Sequence, residues 1–98
     1  MSLRLIIREG AEQDLAEASE WYDEQLPGLG KVFLFDVDRT IQSILERPLT
    51  FPKIEHRVRR ALVRRFPYGV YFVPSDESIS VLAVLHGSRD PEHWRRRA

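Results

Sequence analysis

Apolar positions along this chain follow two periods, and the change from one to the other marks out its elements. Leu3, Leu5 and Ile7 interleave with Arg4, Ile6 and Arg8, a period of two that predicts a short opening strand. From Ala11 the spacing lengthens. Ala11, Leu15, Ala18, Tyr22 and Leu26 lie on one face of a helix that Pro27-Gly28 ends, and Glu12, Asp14 and Glu17 sit where the helix dipole favours negative charge. A second helix is predicted from Leu29 to Glu46, with Leu34, Val37, Ile41, Ile44 and Leu45 as its apolar stripe and Arg47-Pro48 as its stop. Val32 and Phe35 fall on the other side of that helix. Phe35 therefore either packs on the first helix or marks an external docking site.

After a loop over 49–52 the period returns to two in three strand candidates, 58–66, 70–73 and 79–85. Pro67-Tyr68-Gly69 and Pro74-Ser75-Asp76-Glu77 supply turns short enough to make neighbouring strands antiparallel. Asp90 as N-cap and Pro91 at the first helical position predict a short C-terminal helix carrying Trp94. The expected fold is α+β in the order β-α-α-β-β-β, a helical hairpin packed on one face of a small, mainly antiparallel sheet, with 1–98 forming a single domain.

The last strand adds a constraint. By alternation Ile79, Val81, Ala83 and Leu85 point to one face while Leu82 and Val84 point to the other, so the strand is central and needs cover on both sides. The hairpin covers one side. The other is left to the C-terminal segment, a second copy or a different protein.

Composition narrows the function. With 98 residues, 43% of them hydrophobic, the chain suits one compact domain and is too short for a deep cofactor cleft. It has no cysteine, which removes disulfides and thiolate metal sites and points to a reducing cytoplasm. Neither a secretory leader nor the ~20-residue apolar run of a membrane span is expected. The formal charge of zero hides an asymmetry: residues 1–52 carry five basic against ten acidic side chains, a net of −5, and residues 53–98 the reverse, +5. The second half is the one that would meet an anion.

His56, His86 and His93 lie in separate segments without metal-ligand spacing, Gly28 and Gly30 form no phosphate loop, and Ser88 sits in no nucleophile elbow. No metal or cofactor is expected. What remains is a metal-free chemistry of Arg65, His86 and Arg89, which together offer a base, an acid and cations for cleaving RNA through its own 2′-hydroxyl. The structural alternative is a hydrogen-bonded corner histidine and a local Arg89–Asp90 ion pair. On 58–66, alternation puts Arg60, Leu62, Arg64 and Phe66 on one face and Arg59, Ala61, Val63 and Arg65 on the other. That pattern reads as an edge strand guarded by charge, or as a cationic rim for an acidic peptide or a nucleic-acid backbone.

Laid out in this way the chain resembles the RelE/ParE family of bacterial toxins from type II toxin–antitoxin, or plasmid stabilisation, modules. The resemblance spans nearly the whole chain and rests on the β-α-α-β-β-β order, Trp21-Tyr22, the Arg65-Phe66-Pro67-Tyr68 turn, and the ending from Val81 to His86 followed by Arg89-Asp90-Pro91 and Trp94. It implies a toxin held inactive by a cognate antitoxin that wraps it, as a heterotetramer or beside a toxin homodimer. RelE-like members cut messenger RNA on the ribosome; ParE-like members act on DNA gyrase without an established nuclease site. Here Gly69 stands where the ribonucleases commonly carry a basic residue, and Trp94 stands where they carry a tyrosine. The ParE-like target, DNA gyrase, is therefore favoured, and an enzyme is not. A metal-independent messenger-RNA endonuclease using Arg65, His86 and Arg89 is the alternative, and a non-toxic nucleic-acid- or protein-binding relative the second. Arg60, Arg64, Leu82, Val84, Phe35 and Trp94 are the expected contacts to antitoxin or target.

Overall fold

The computed structural model describes residues 3–98. Strand β1 (Arg4–Ile7) leads into helices α1 (Glu9–Gln25) and α2 (Leu29–Glu46); a 3-10 turn at Pro48–Thr50 then precedes β2 (Lys53–Glu55), β3 (Val58–Leu62), β4 (Tyr68–Pro74), β5 (Ser78–His86) and a short α3 (Glu92–Arg95). The strands form one sheet in the order β1-β5-β4-β3-β2, antiparallel except for the parallel β1–β5 pair. This is the α+β arrangement the periodicity predicts, with β2 as an addition. Three residues are too few for a period of two to register.

The two helices lie close because position 30 has no side chain. A Cβ on Gly30 would press on the Ser19 carbonyl and the Asp23 carboxylate. Instead the Gly30 N–H donates to Asp23 Oδ1 at 2.8 Å, so a side chain of α1 satisfies a free donor in the first turn of α2. The buried stripe of α2 begins one residue earlier than the spacing predicts. Phe33, Val37, Ile41 and Ile44 are buried and Leu34 is 40% exposed. Both residues keep a helical interval to Val37, and the aromatic cluster decides between them: the Phe33 ring lies 5.2, 5.2 and 4.9 Å from those of Tyr22, Phe66 and Tyr68.

Strict alternation fails in β5. Tyr71 pairs with Ala83 and Phe72 with Val81, so Leu82 is an extra residue, a β-bulge that reverses which face later residues meet. Ile79, Val81 and Val84 consequently join the core beneath the helices, whereas Leu82, Ala83 and Leu85 join a second cluster with Val58, Tyr71 and Trp94 on the far face. The bulge takes the Val84 N–H and the Leu82 carbonyl out of the regular ladder, and both find partners. The Val84 N–H donates to Asp14 Oδ2 at 3.0 Å, and Arg97 Nη1 donates to the Leu82 carbonyl at 3.2 Å and to Asp14 Oδ2 at 2.6 Å. The far face is closed by the chain's own C-terminal segment. Trp94 stacks on Tyr71 with ring centroids 5.6 Å apart and 17° between planes, and Arg95 is paired with Glu55.

Strand β3 is shorter than predicted, stopping at Leu62. The chain turns over 63–67, with Arg65 in the left-handed region at φ 67°, and Tyr68 and Gly69 belong to β4 rather than to the turn. Phe66 therefore leaves the face of Arg60 and packs under the helices against Tyr22 at 4.9 Å.

Candidate functional site

The three residues expected to form a nuclease site are not brought together. Arg65 is committed to α2: its Nε and Nη2 donate to the two carboxylate oxygens of Asp36, both at 2.8 Å. Those bonds hold the Asp36 carboxyl below its ordinary pKa, against the opposing pull of its burial, and raise that of Arg65. Asp36 is buried while the Arg65 side chain is largely exposed, so the guanidinium acts as a polar lid over the carboxylate.

His86 and Arg89 do meet, at the mouth of a groove of about 630 Å³ between α1 and the ends of β4 and β5. Because the bulge reverses the phase of β5, His86 pairs with Tyr68 on the helix side of the sheet, their rings 5.5 Å apart. The Ser88 backbone N–H donates to His86 Nδ1 at 3.0 Å, with Ser88 Oγ 2.8 Å from the same atom. A backbone N–H can only donate, so the neutral ring carries its proton on Nε2 and presents a donor to the groove. That tautomer is not a base at Nε2. From α1 the wall carries Asp14, Ala18 and Tyr22 at intervals of four, with Glu17 and Trp21 on the adjoining row, also four apart. That spacing was visible in the sequence. Burial raises the phenol pKa of Tyr22 and of Tyr68, with the Tyr68 hydroxyl adding to the first and Arg89 opposing the second.

The predicted contact residues separate as well. Arg60 extends its stem across Gly69, where a Cβ would stand 3.1 Å from Arg60 Cδ, and so lies on the far face of the sheet. Its Nε is buried and unpartnered among the described residues. Arg64 is exposed beside a cleft with Arg39, Gln42, Phe51 and Leu62, away from Arg60, because the strand that would have aligned the two ends at Leu62. Leu82 and Val84 are 2% and 1% exposed and Trp94 is 7% exposed, so these three are core rather than surface: Val84 lies beneath the helices, and Leu82 packs with Trp94 of the C-terminal segment, one of the covers left open for that face. Phe35 stays 57% exposed, with the Arg39 guanidinium 5.9 Å from its ring. It does not pack on α1 as the buried alternative required.

A family model described as the ParE toxin of the type II toxin–antitoxin system parDE matches residues 5–91. The chain belongs to the ParE toxin family. Toxin ParE2 of Mycobacterium tuberculosis, strains CDC 1551 / Oshkosh and H37Rv, is 33% identical over 92 residues, covering 93% of this chain and 88% of the relative. The chromosomal ParDE system from P. aeruginosa contains a chain of the same fold, with a TM-score of 0.77 at 17% identity over 87% of this chain and 96% of that one. Membership brings a cognate antitoxin as partner. This ParE chain has, among the described residues, no helix long and apolar enough to cross a membrane.

Proposed function

We propose that this ParE-family toxin arrests growth by inhibiting DNA gyrase, is neutralised by its cognate antitoxin, and does not cleave messenger RNA. The observation that carries the reading is the dispersal of the nuclease candidates. Arg65 is held by Asp36 away from the groove, and the two candidates left there, His86 and Arg89, present a protonated Nε2 and a guanidinium, neither of them a base. Metal-free cleavage of RNA needs a base, an acid and cations around one phosphate. Losing one electrostatic contact to such a transition state typically costs about 10²–10³ in rate, and here Arg65 is withdrawn from the His86–Arg89 groove by its bonds to Asp36.

The test compares the wild-type protein with His86→Ala and Arg89→Ala in a translating extract. The expected outcome is intact ribosome-bound message in all three. If wild type cut the message and both folded variants did not, the gyrase reading would be wrong and His86 and Arg89 would be a catalytic pair.

A further inference from the structure

The groove between α1 and β5 is lined by donors that the protein itself leaves unused. Among the described residues, the hydroxyls of Tyr22 and Tyr68, the Nε2 of His86 and the guanidinium of Arg89 make no hydrogen bond or ion pair to another protein group. The nearby carboxylate of Asp14 is already satisfied by Arg97 and the Val84 N–H, so it is not available to answer them. Four donors from α1, β4, β5 and the following loop thus converge without an acceptor, and Arg89 makes the set cationic. Beside them Trp21 is 53% exposed, its ring edge-on to Tyr22 at 5.1 Å, an apolar shelf on the α1 wall. Glu17 is the one uncompensated negative charge and stands on that same α1 wall. The volume, about 630 Å³, falls in the range of built ligand sites and admits a few side chains of a peptide.

We infer that this groove is where the toxin receives its antitoxin, taking from it a carboxylate side chain against Arg89, Tyr68 and His86 and a neighbouring aliphatic or aromatic side chain against Trp21. The inference rests on the toxin–antitoxin reading and adds the surface and the chemistry of the segment that fits it. Charge complementarity selects that segment: a basic residue would leave the donors unanswered and meet Arg89 with like charge. Raised phenol pKa values keep both tyrosines protonated as donors through the neutral range.

The test measures the affinity of the purified toxin for the co-encoded antitoxin by calorimetry, with Arg89→Glu, Trp21→Ala, Glu17→Lys and, as a distant control, Arg4→Glu. All four positions are exposed, so the fold should be retained, and thermal melts check it. Arg89→Glu and Trp21→Ala should each weaken binding by about tenfold or more, Glu17→Lys should tighten it, and Arg4→Glu should leave it unchanged. Unchanged affinity in both Arg89→Glu and Trp21→Ala overturns the site. A loss with Glu17→Lys larger than that with Arg89→Glu overturns the carboxylate in favour of a basic segment. Loss of gyrase inhibition by the free toxin at unchanged antitoxin affinity assigns the groove to the target instead. A wild-type toxin that binds antitoxin yet leaves gyrase untouched would defeat the functional reading while leaving the groove intact.

Discussion

Asp36 is a buried carboxylate on the core side of α2, kept charged by one arginine from the β3–β4 turn. Its folded pKa lies below the unfolded value of 3.8, so the unfolded chain binds more protons in the window between the two. The contribution of the pair to stability is thus complete above 3.8 and is lost as pH falls through the lower folded value. Water around the exposed Arg65 screens the pair, so the effect is modest. Thermal melts across the acid range should show the wild type losing stability below about pH 4, with Asp36→Asn losing less there and less stable at neutral pH; superimposable profiles would contradict the assignment. Gly30 offers a second residue-level test. Gly30→Ala forces a methyl against the Ser19 carbonyl and should cost about 1–3 kcal/mol in urea denaturation, and a neutral result would mean the helices are not packed that closely. Neither role was legible from the sequence. A glycine at the start of a helix and an aspartate four residues before Thr40 look ordinary until a second element supplies Ser19 or Arg65.

At the scale of elements, the hairpin, the three long strands and the C-terminal helix all follow from local spacing and from Pro-Gly, Arg-Pro and Asp-Pro punctuation. Boundaries of α2 agree with the pattern to the residue. The faces of β5 do not, since a bulge is an event between two strands and its register against β4 is absent from either strand's own pattern. That single residue decides the rest. It moves Val84 under the helices, puts Ala83 and Leu85 beside Leu82 on the far face and turns His86 toward α1. The two-sided burial expected of β5 is present, and of the three covers left open for its far face the C-terminal segment is the one found. Asp14 and Arg97 secure the bulge, and Asp14→Ala leaves the Val84 N–H without an acceptor, a loss of about 1–3 kcal/mol. Hydrogen exchange at the Val84 amide should accelerate in that variant. An amide as protected as in wild type would show that the bulge holds itself.

Over the whole molecule, the charge asymmetry read from the sequence persists as an arrangement in space. The exposed side of α1 is rich in carboxylates while β2, β3 and the turns that follow each carry Lys53, Arg57, Arg59, Arg60 and Arg64. Family membership was legible from the Phe-Pro-Tyr turn and the His…Arg-Asp-Pro ending, because those residues set the β3–β4 connection and the exit from β5. The candidate site was legible only in part. His86 and Arg89 were found, yet their partners Trp21, Tyr22 and Tyr68 come from elements distant in sequence. The central claim is that this fold poisons gyrase with no phosphate-cleaving centre of its own. Its most direct measurement is a supercoiling assay with purified gyrase, relaxed plasmid and the free toxin. The account predicts dose-dependent loss of supercoiling, relieved by stoichiometric antitoxin and retained in His86→Ala; full supercoiling at toxin excess, with the same protein arresting growth in cells, would contradict it.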